Sequence, residues 1–169
     1  MALGIELKEG LKRPDPLLIF RWVAKTVPFG EQFGVTPAYI ETFEIPFNNV
    51  KAEGTFFGGG YDYFPAFHDV SAFNVTFYAD SAGRTLRYLM YWKSQVKNFE
   101  TGLYNLPGVY KRPWLVALLD PTGKEVAEAT LSGCWPADTN QLSLDYNDGA
   151  GRILLNQNFS TDNSSIKVL

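Results

Sequence analysis

The chain has 169 residues, with fifteen Lys and Arg against eighteen Asp and Glu and a formal charge of −3. That length supports one domain with a core large enough to fold unaided, and the acidic balance argues against a nucleic-acid grip, which needs clustered Lys and Arg. A single cysteine, Cys134, excludes an internal disulfide, and with one histidine it cannot supply the usual ligands of a transition-metal site.

Residues 1–13 are short, mixed and weakly patterned, and read as an N-terminal arm. Glu6, Lys8 and Glu9 stand where a signal peptide would need an apolar run, so secretion by that route is not expected. Arg13-Pro14-Asp15-Pro16 interrupts regular structure. Leu17 to Val27 then alternates, with Phe20, Trp22, Ala24 and Thr26 opposite Arg21 and Lys25, which predicts a strand with one wet face. Tyr39 to Ile45 predicts a second strand after a turn-rich connection over Pro28 to Pro37.

Phe47 to Phe64 has no clear period and is expected to be an irregular loop. At its centre stands Phe56-Phe57-Gly58-Gly59-Gly60-Tyr61. The glycines lack the Lys-Ser/Thr and helix start of a phosphate cradle. Three glycines in a row lose much backbone entropy on ordering, while Phe47, Phe56, Phe57, Tyr61, Tyr63 and Phe64 would gain by burial. The loop is therefore expected to order against another chain. Ser71 to Tyr78 follows as a clean strand, Phe73, Val75 and Phe77 opposite Asn74, Thr76 and Tyr78.

Asp80 to Phe99 has the one long helical period of the chain. Asp80 or Ser81 can cap its start, and Thr85, Tyr88, Leu89, Trp92, Val96 and Phe99 form one apolar stripe. Leu86 and Met90 form a second apolar shoulder beside Lys93 and Lys97, so this helix is expected to be touched twice, once by its own domain and once from outside. Arg84 to Lys97 holds four bases and no acid. Taking those from −3 leaves −7 on the remainder, a basic helix on an acidic body.

Beyond the stop at Gly102 and Pro107, Trp114–Leu119 and Val126–Leu131 flank Asp120-Pro121-Thr122-Gly123-Lys124, a hairpin signature. Gln141–Tyr146 and Arg152–Phe159 predict two short strands, and the polar end after Phe159 predicts a flexible tail over residues 160–169. About seven strands joined by turns, with one helix inserted, give a mainly β fold over residues 14–159. It is expected to be an antiparallel sandwich or barrel flanked by that helix. No apolar stretch approaches the ~20 residues of a membrane span.

Chemistry is sparse. His68 and Asp69 are neighbours, and adjacent strand residues point to opposite faces. Cys134 has only His68 as a conceivable base. The carboxylates are scattered, and no cofactor motif is present. A small hydrolase using His68 is one reading and a sugar-stacking β domain another. The pattern favours a non-catalytic domain that contacts other proteins.

The segment Leu131-Ser132-Gly133-Cys134-Trp135-Pro136-Ala137-Asp138-Thr139-Asn140-Gln141-Leu142-Ser143-Leu144-Asp145-Tyr146 resembles the C-terminal signature of tail tube proteins of contractile-tailed, T-even-type bacteriophages. There a strand runs into Gly-x-Trp-Pro, then a polar turn, then Leu-x-Leu-Asp and an aromatic. Arg13-Pro14 with Leu17 to Phe20, Thr36-Pro37-Ala38 with Ile40-Glu41 and Ile45-Pro46, Phe67 to Val70 before Phe73 to Thr76, and Tyr91-Trp92-Lys93 match in the same order. The Gly- and aromatic-rich stretch from Thr55 to Phe64 departs from that pattern, as does the polar end after Phe159.

The resemblance implies a structural protein of the virion tail. Six copies would form a ring, their inner sheets joining into one barrel, and rings would stack into a tube through which genome DNA passes without specific binding. Sheath and baseplate proteins are the implied partners, with no membrane and no cofactor. Ring closure would consume exposed strand edges, and an acidic wall, with Glu41, Glu44, Glu53 and Asp69 as candidates, would repel phosphate. Phe47 to Phe64 would contact the next ring. Leu86, Met90, Lys93 and Lys97 would face outward, Trp135 would anchor the core, and Gly133 and Pro136 would shape the bend between strands. A baseplate tube initiator, or a tube protein of a related secretion or bacteriocin machine, fits the same resemblance.

Overall fold

The computed structural model describes residues 17–70, 72–139, 142, 144 and 151–169. The arm at 1–13 and nearly all of the strand expected at Gln141–Tyr146 lie outside these residues, as do the side chains of His68 and Asp69.

Nine strands are described: β1 (Trp22–Ala24), β2 (Ile40–Phe43), β3 (Asn48–Phe57), β4 (Gly60–Val70), β5 (Phe73–Tyr78), β6 (Arg112–Leu119), β7 (Glu125–Thr139), β8 (Leu154–Ser160) and β9 (Asn163–Val168). Helix α1 (Arg84–Val96) stands between β5 and β6, followed by a single turn, α2 (Pro107–Tyr110). All pairings are antiparallel. The sheet runs β1-β6-β7-β8-β5-β2 with β9 added to β7, while β3 and β4 pair only with each other.

β7 holds this path together. Its first half pairs with β6 on one edge and β9 on the other, and its second half pairs with β8. The strand turns between the two settings at Gly133, whose φ of +66° suits glycine. A Cβ there would lie 2.1 Å from Asp162 Oδ2, so the close approach of the β8–β9 connection demands glycine as well. The bend curls the sheet until its ends meet: Trp22 of β1 and Phe43 of β2 have ring centroids 6.2 Å apart. The result is an open barrel.

The interior is aromatic. Phe73, Phe77, Tyr88, Trp92, Trp114 and Phe159 are fully enclosed, and their rings interlock at 5–6.5 Å, the spacing at which tilted and edge-to-face pairs are favourable. Helix α1 supplies Tyr88 and Trp92, so it covers the barrel with the predicted stripe of Thr85, Tyr88, Leu89 and Trp92. Asp80 caps it from outside: its Oδ1 accepts from the Arg84 amide at 2.8 Å, while Gly83 (φ +67°) takes the position before the first turn.

Four expectations are corrected. Phe47–Phe64 is not an irregular loop but the greater part of a long hairpin, because Gly58 (φ +60°) and Gly59 (φ +90°) supply the two left-handed residues of a tight turn matching strand twist. Residues 160–169 are not a free tail. Asn163–Val168 pairs with β7 from Ser132 to Ala127, since the hydroxyls and amides of a polar strand serve an edge that faces water. Helix α1 ends at Val96, and Phe99 lies exposed beyond it. Trp135 is half-buried against Tyr110 (6.0 Å) rather than central, and Trp92 and Trp114 hold the centre.

Candidate assembly surfaces

Among the described residues no cluster of His, Cys, Asp and Glu could hold a metal. The Cys134 thiol is enclosed, donating to the Leu131 carbonyl at 3.4 Å, and burial pushes its pKa up to about 11. It is a protonated core side chain at neutral pH, far from the thiolate a nucleophile requires. Among the described residues no helix is long and apolar enough to cross a membrane. What the described surface offers instead is uncovered apolar side chains, three groups of them beside elements expected to meet other chains.

The first is the hairpin. Cross-strand register pairs Gly54 with Tyr63, Phe56 with Tyr61, Glu53 with Phe64 and Thr55 with Asp62. Alternation therefore puts Phe56, Tyr61 and Tyr63 on one face and Glu53, Thr55 and Asp62 on the other. On the first face the rings touch: Phe56–Tyr61 at 5.4 Å and Tyr61–Tyr63 at 6.4 Å, with Tyr63 lying over Gly54, where a Cβ would meet its ring at 3.0 Å. Every residue of β3 is exposed, and Phe57 at the tip is 80% exposed. A two-stranded ribbon is marginal in water without something to pack on. Its root is tied to the barrel, Asn48 exchanging hydrogen bonds with Ser164 (3.1 Å from the Ser164 amide, 2.5 Å to its carbonyl). The arms beyond reach outward.

The second surface lies on α1 and the segment after it. Leu86 and Met90 are exposed, Met90 to 70%, and Lys93 and Lys97 continue the same side of the helix at three- and four-residue steps. Burial of its stem lowers the Lys93 pKa from the usual lysine value. Lys97 stands over the Tyr104 ring at 4.9 Å, which joins the helix to a knot of backbone bonds. Asn98 Oδ1 accepts from Glu100 and Thr101, the Asn98 amide bonds to Leu103, and Asn105 donates to Gln95 and Val96. Trp92 Nε1 reaches the Tyr110 carbonyl at 2.8 Å and fixes the far end. This rigid segment nevertheless shows Phe99, Leu103, Tyr104 and Leu106 to solvent, Leu106 to 77%. Sequence reading missed it by placing Phe99 on the buried stripe. The available signal was that Phe99, Leu103 and Leu106 follow the last helical turn, where nothing in the chain is left to cover them.

The third is the seam where β1 and β2 approach. Both are edge strands, and Phe20, Trp22, Ala24, Ile40 and Phe43 line a groove between them. Of the acids expected on a channel wall, Glu41 pairs with Arg152 at 3.0 Å, Glu44 Oε2 accepts from the Asn74 amide, and Glu53 stands on the hairpin. Gly133 and Pro136 sit on β7, with Pro136 buried opposite Phe159.

No family model and no curated protein matches the chain. Solved structures do. A chain of the sheath–tube complex of an extracellular contractile injection system, PVC, in its extended state has a TM-score of 0.65 at 12% identity, over 96% of this chain and 97% of that one. A chain of the sheath/tube terminator of the PVC system matches with a TM-score of 0.68 at 11% identity over 94% and 99%. A chain of the tube-terminating cap of the anti-feeding prophage matches with 0.65 at 14% identity over 100% of both. At these identities the likeness is one of fold, and it extends end to end.

Proposed function

We propose that this chain is a structural subunit of the inner tube of a contractile machine, a phage-type tail tube protein that assembles as hexameric rings and stacks into a conduit. One observation carries the reading. The fold matches chains of contractile-system structures along its whole length. The edge strands β1, β2 and β9 would be consumed by pairing around the ring, which is how a sheet with open edges avoids uncontrolled association. The hairpin and the surface on α1 supply contacts beyond the ring, to a further ring or to sheath and baseplate proteins. No enzymatic step is part of this role. In a virion tail the lumen would pass DNA by repulsion, consistent with the acidic remainder of the chain.

A terminator or initiator ring is the second reading, favoured by the end-to-end match to the tube-terminating cap. Negative-stain microscopy of the purified chain separates them. Tubes of variable length support a tube subunit, while single six-fold rings at every concentration support a terminator or initiator. A monomer at every concentration and salt contradicts both.

A further inference from the structure

Strand β9 has β7 on one side and, among the described residues, no strand on the other. Along an antiparallel strand the N–H and C=O of successive residues point to alternate sides. The Leu169 amide donates to the Val126 carbonyl, into the sheet, and the backbone groups of Ser164 point the other way, where they meet the Asn48 side chain. Alternation therefore turns the N–H and C=O of Ile166 and Val168 to the open side too, and both residues are exposed, Val168 to 75%. The open edge has three rungs, at Ser164, Ile166 and Val168, and Asn48 fills the first.

Asn48 fills it as a strand would. Its Oδ1 accepts from the Ser164 N–H at 3.1 Å and its Nδ2 donates to the Ser164 C=O, the two bonds that one residue of a paired strand makes. Nδ2 also reaches Asn163 Oδ1 at 3.1 Å. Behind it the Ser164 hydroxyl donates to the Pro46 carbonyl at 2.6 Å, and that bond is buried. One side chain thus occupies a rung of an edge otherwise ready for another strand and ties the hairpin root to the barrel. Asn48 is itself exposed, so water takes over its bonds when it leaves, at a small net cost.

We propose that Asn48 is an autoinhibitory cap on the β9 edge, displaced by an edge strand of a second copy. The incoming strand pairs with Val168 and Ile166, takes the two bonds at Ser164 and leaves the Pro46 bond in place, by the strand addition that open sheet edges support. The chain brings its own candidates, since β1 and β2 end the sheet path with no strand beyond them. Edge pairing therefore loosens the hairpin root in the same step, and the free chain is held back from pairing along its full edge. The proposal rests on the tube reading, which supplies the second copy, and adds an order of events to it: edge pairing first, hairpin contact second.

Removing the cap tests it, because a cap and a supporting contact act with opposite sign. Asn48→Ala should lower the concentration needed for assembly roughly fivefold, since the bonds it deletes are ones assembly must break. Asn48→Asp, which keeps the shape but sets a carboxylate oxygen against the Ser164 carbonyl, should act in the same direction. Thermal melting checks that both variants fold. Independently of any substitution, hydrogen exchange at the Ile166 and Val168 amides of wild type should slow on assembly. Wild type that assembles while Asn48→Ala needs as much protein or more, or β9 amides that exchange as fast in the assembly as in the free chain, overturns the cap and leaves the tube reading standing. Wild type that never assembles overturns both.

Discussion

The barrel interior and the β3–β4 hairpin are built from the same residue types and use them in opposite ways. Inside, Phe73, Phe77, Trp92, Trp114 and Phe159 are enclosed and lock against one another from three strands and a helix. On the hairpin, Phe56, Phe57, Tyr61 and Tyr63 are equally large and equally ordered by register, yet stand in water. Aromatic content alone does not distinguish a buried core from an exposed surface. What distinguishes them is whether the chain supplies a second layer: α1 closes over the barrel, and no described element closes over the hairpin.

If that contrast is right, substitutions in the interior should unfold the protein and those on the hairpin should not. Trp92→Ala should be the most damaging. It removes a fully enclosed indole and its hydrogen bond to Tyr110, at ~3–5 kcal/mol, a large part of a domain stability of ~5–15 kcal/mol. Chemical denaturation measures it; a loss under about 1 kcal/mol would mean the centre of the barrel is not packed as described. Gly133→Ala comes next. The left-handed backbone alone costs ~1–2 kcal/mol for an L side chain, and the close approach of Asp162 adds to it. Adding Asp162→Ala should recover the second contribution and not the first, which a double-mutant comparison of denaturation midpoints resolves.

Trp135→Ala sharpens the comparison from the border between the two regions. Half-buried against Tyr110, it should cost roughly 1–2 kcal/mol, clearly less than Trp92→Ala. The smallest effect belongs to the β6–β7 turn. Asp120 accepts from the Thr122 hydroxyl and the Thr122 and Lys124 amides, and these bonds hold its carboxyl below the usual carboxylate pKa. A depressed pKa adds stability above the unfolded value and loses it as pH falls through the folded one. Asp120→Ala should therefore melt slightly below wild type near neutral pH and converge with it in acid. A gap that persists in acid would assign the turn to its backbone alone.

Much of this was legible in the sequence. Alternation marked β5, three- and four-residue spacing marked α1 with its buried stripe, and Asp-Pro-Thr-Gly marked the turn and the strands flanking it, because each signal is local. The hairpin was obscured because both its faces are exposed, so no alternation between apolar and polar survives over Asn48–Phe57, and the glycine triplet reads as flexibility until two positive φ angles show it to be a turn. Strand β9 was hidden by its polar composition: Asn163, Ser164 and Ser165 look frayed alone and gain order only from the β7 edge far away in sequence. The exposed segment after α1 was missed because Phe99 continues the helical spacing three residues past the helix end, which masked the signal that Phe99, Leu103 and Leu106 follow the last turn.

The separation of fold from assembly is tested most directly by shortening the hairpin. Removing Phe56 to Tyr61 takes two residues from each arm and the two-residue turn, and leaves Thr55 and Asp62 as a new two-residue turn between the paired Gly54 and Tyr63. Melting temperature and negative-stain images of this variant and of wild type are then compared under identical conditions. The account predicts a melting temperature within a few degrees of wild type together with loss of tubes. A variant that still builds tubes of normal length, or one that unfolds, would contradict it.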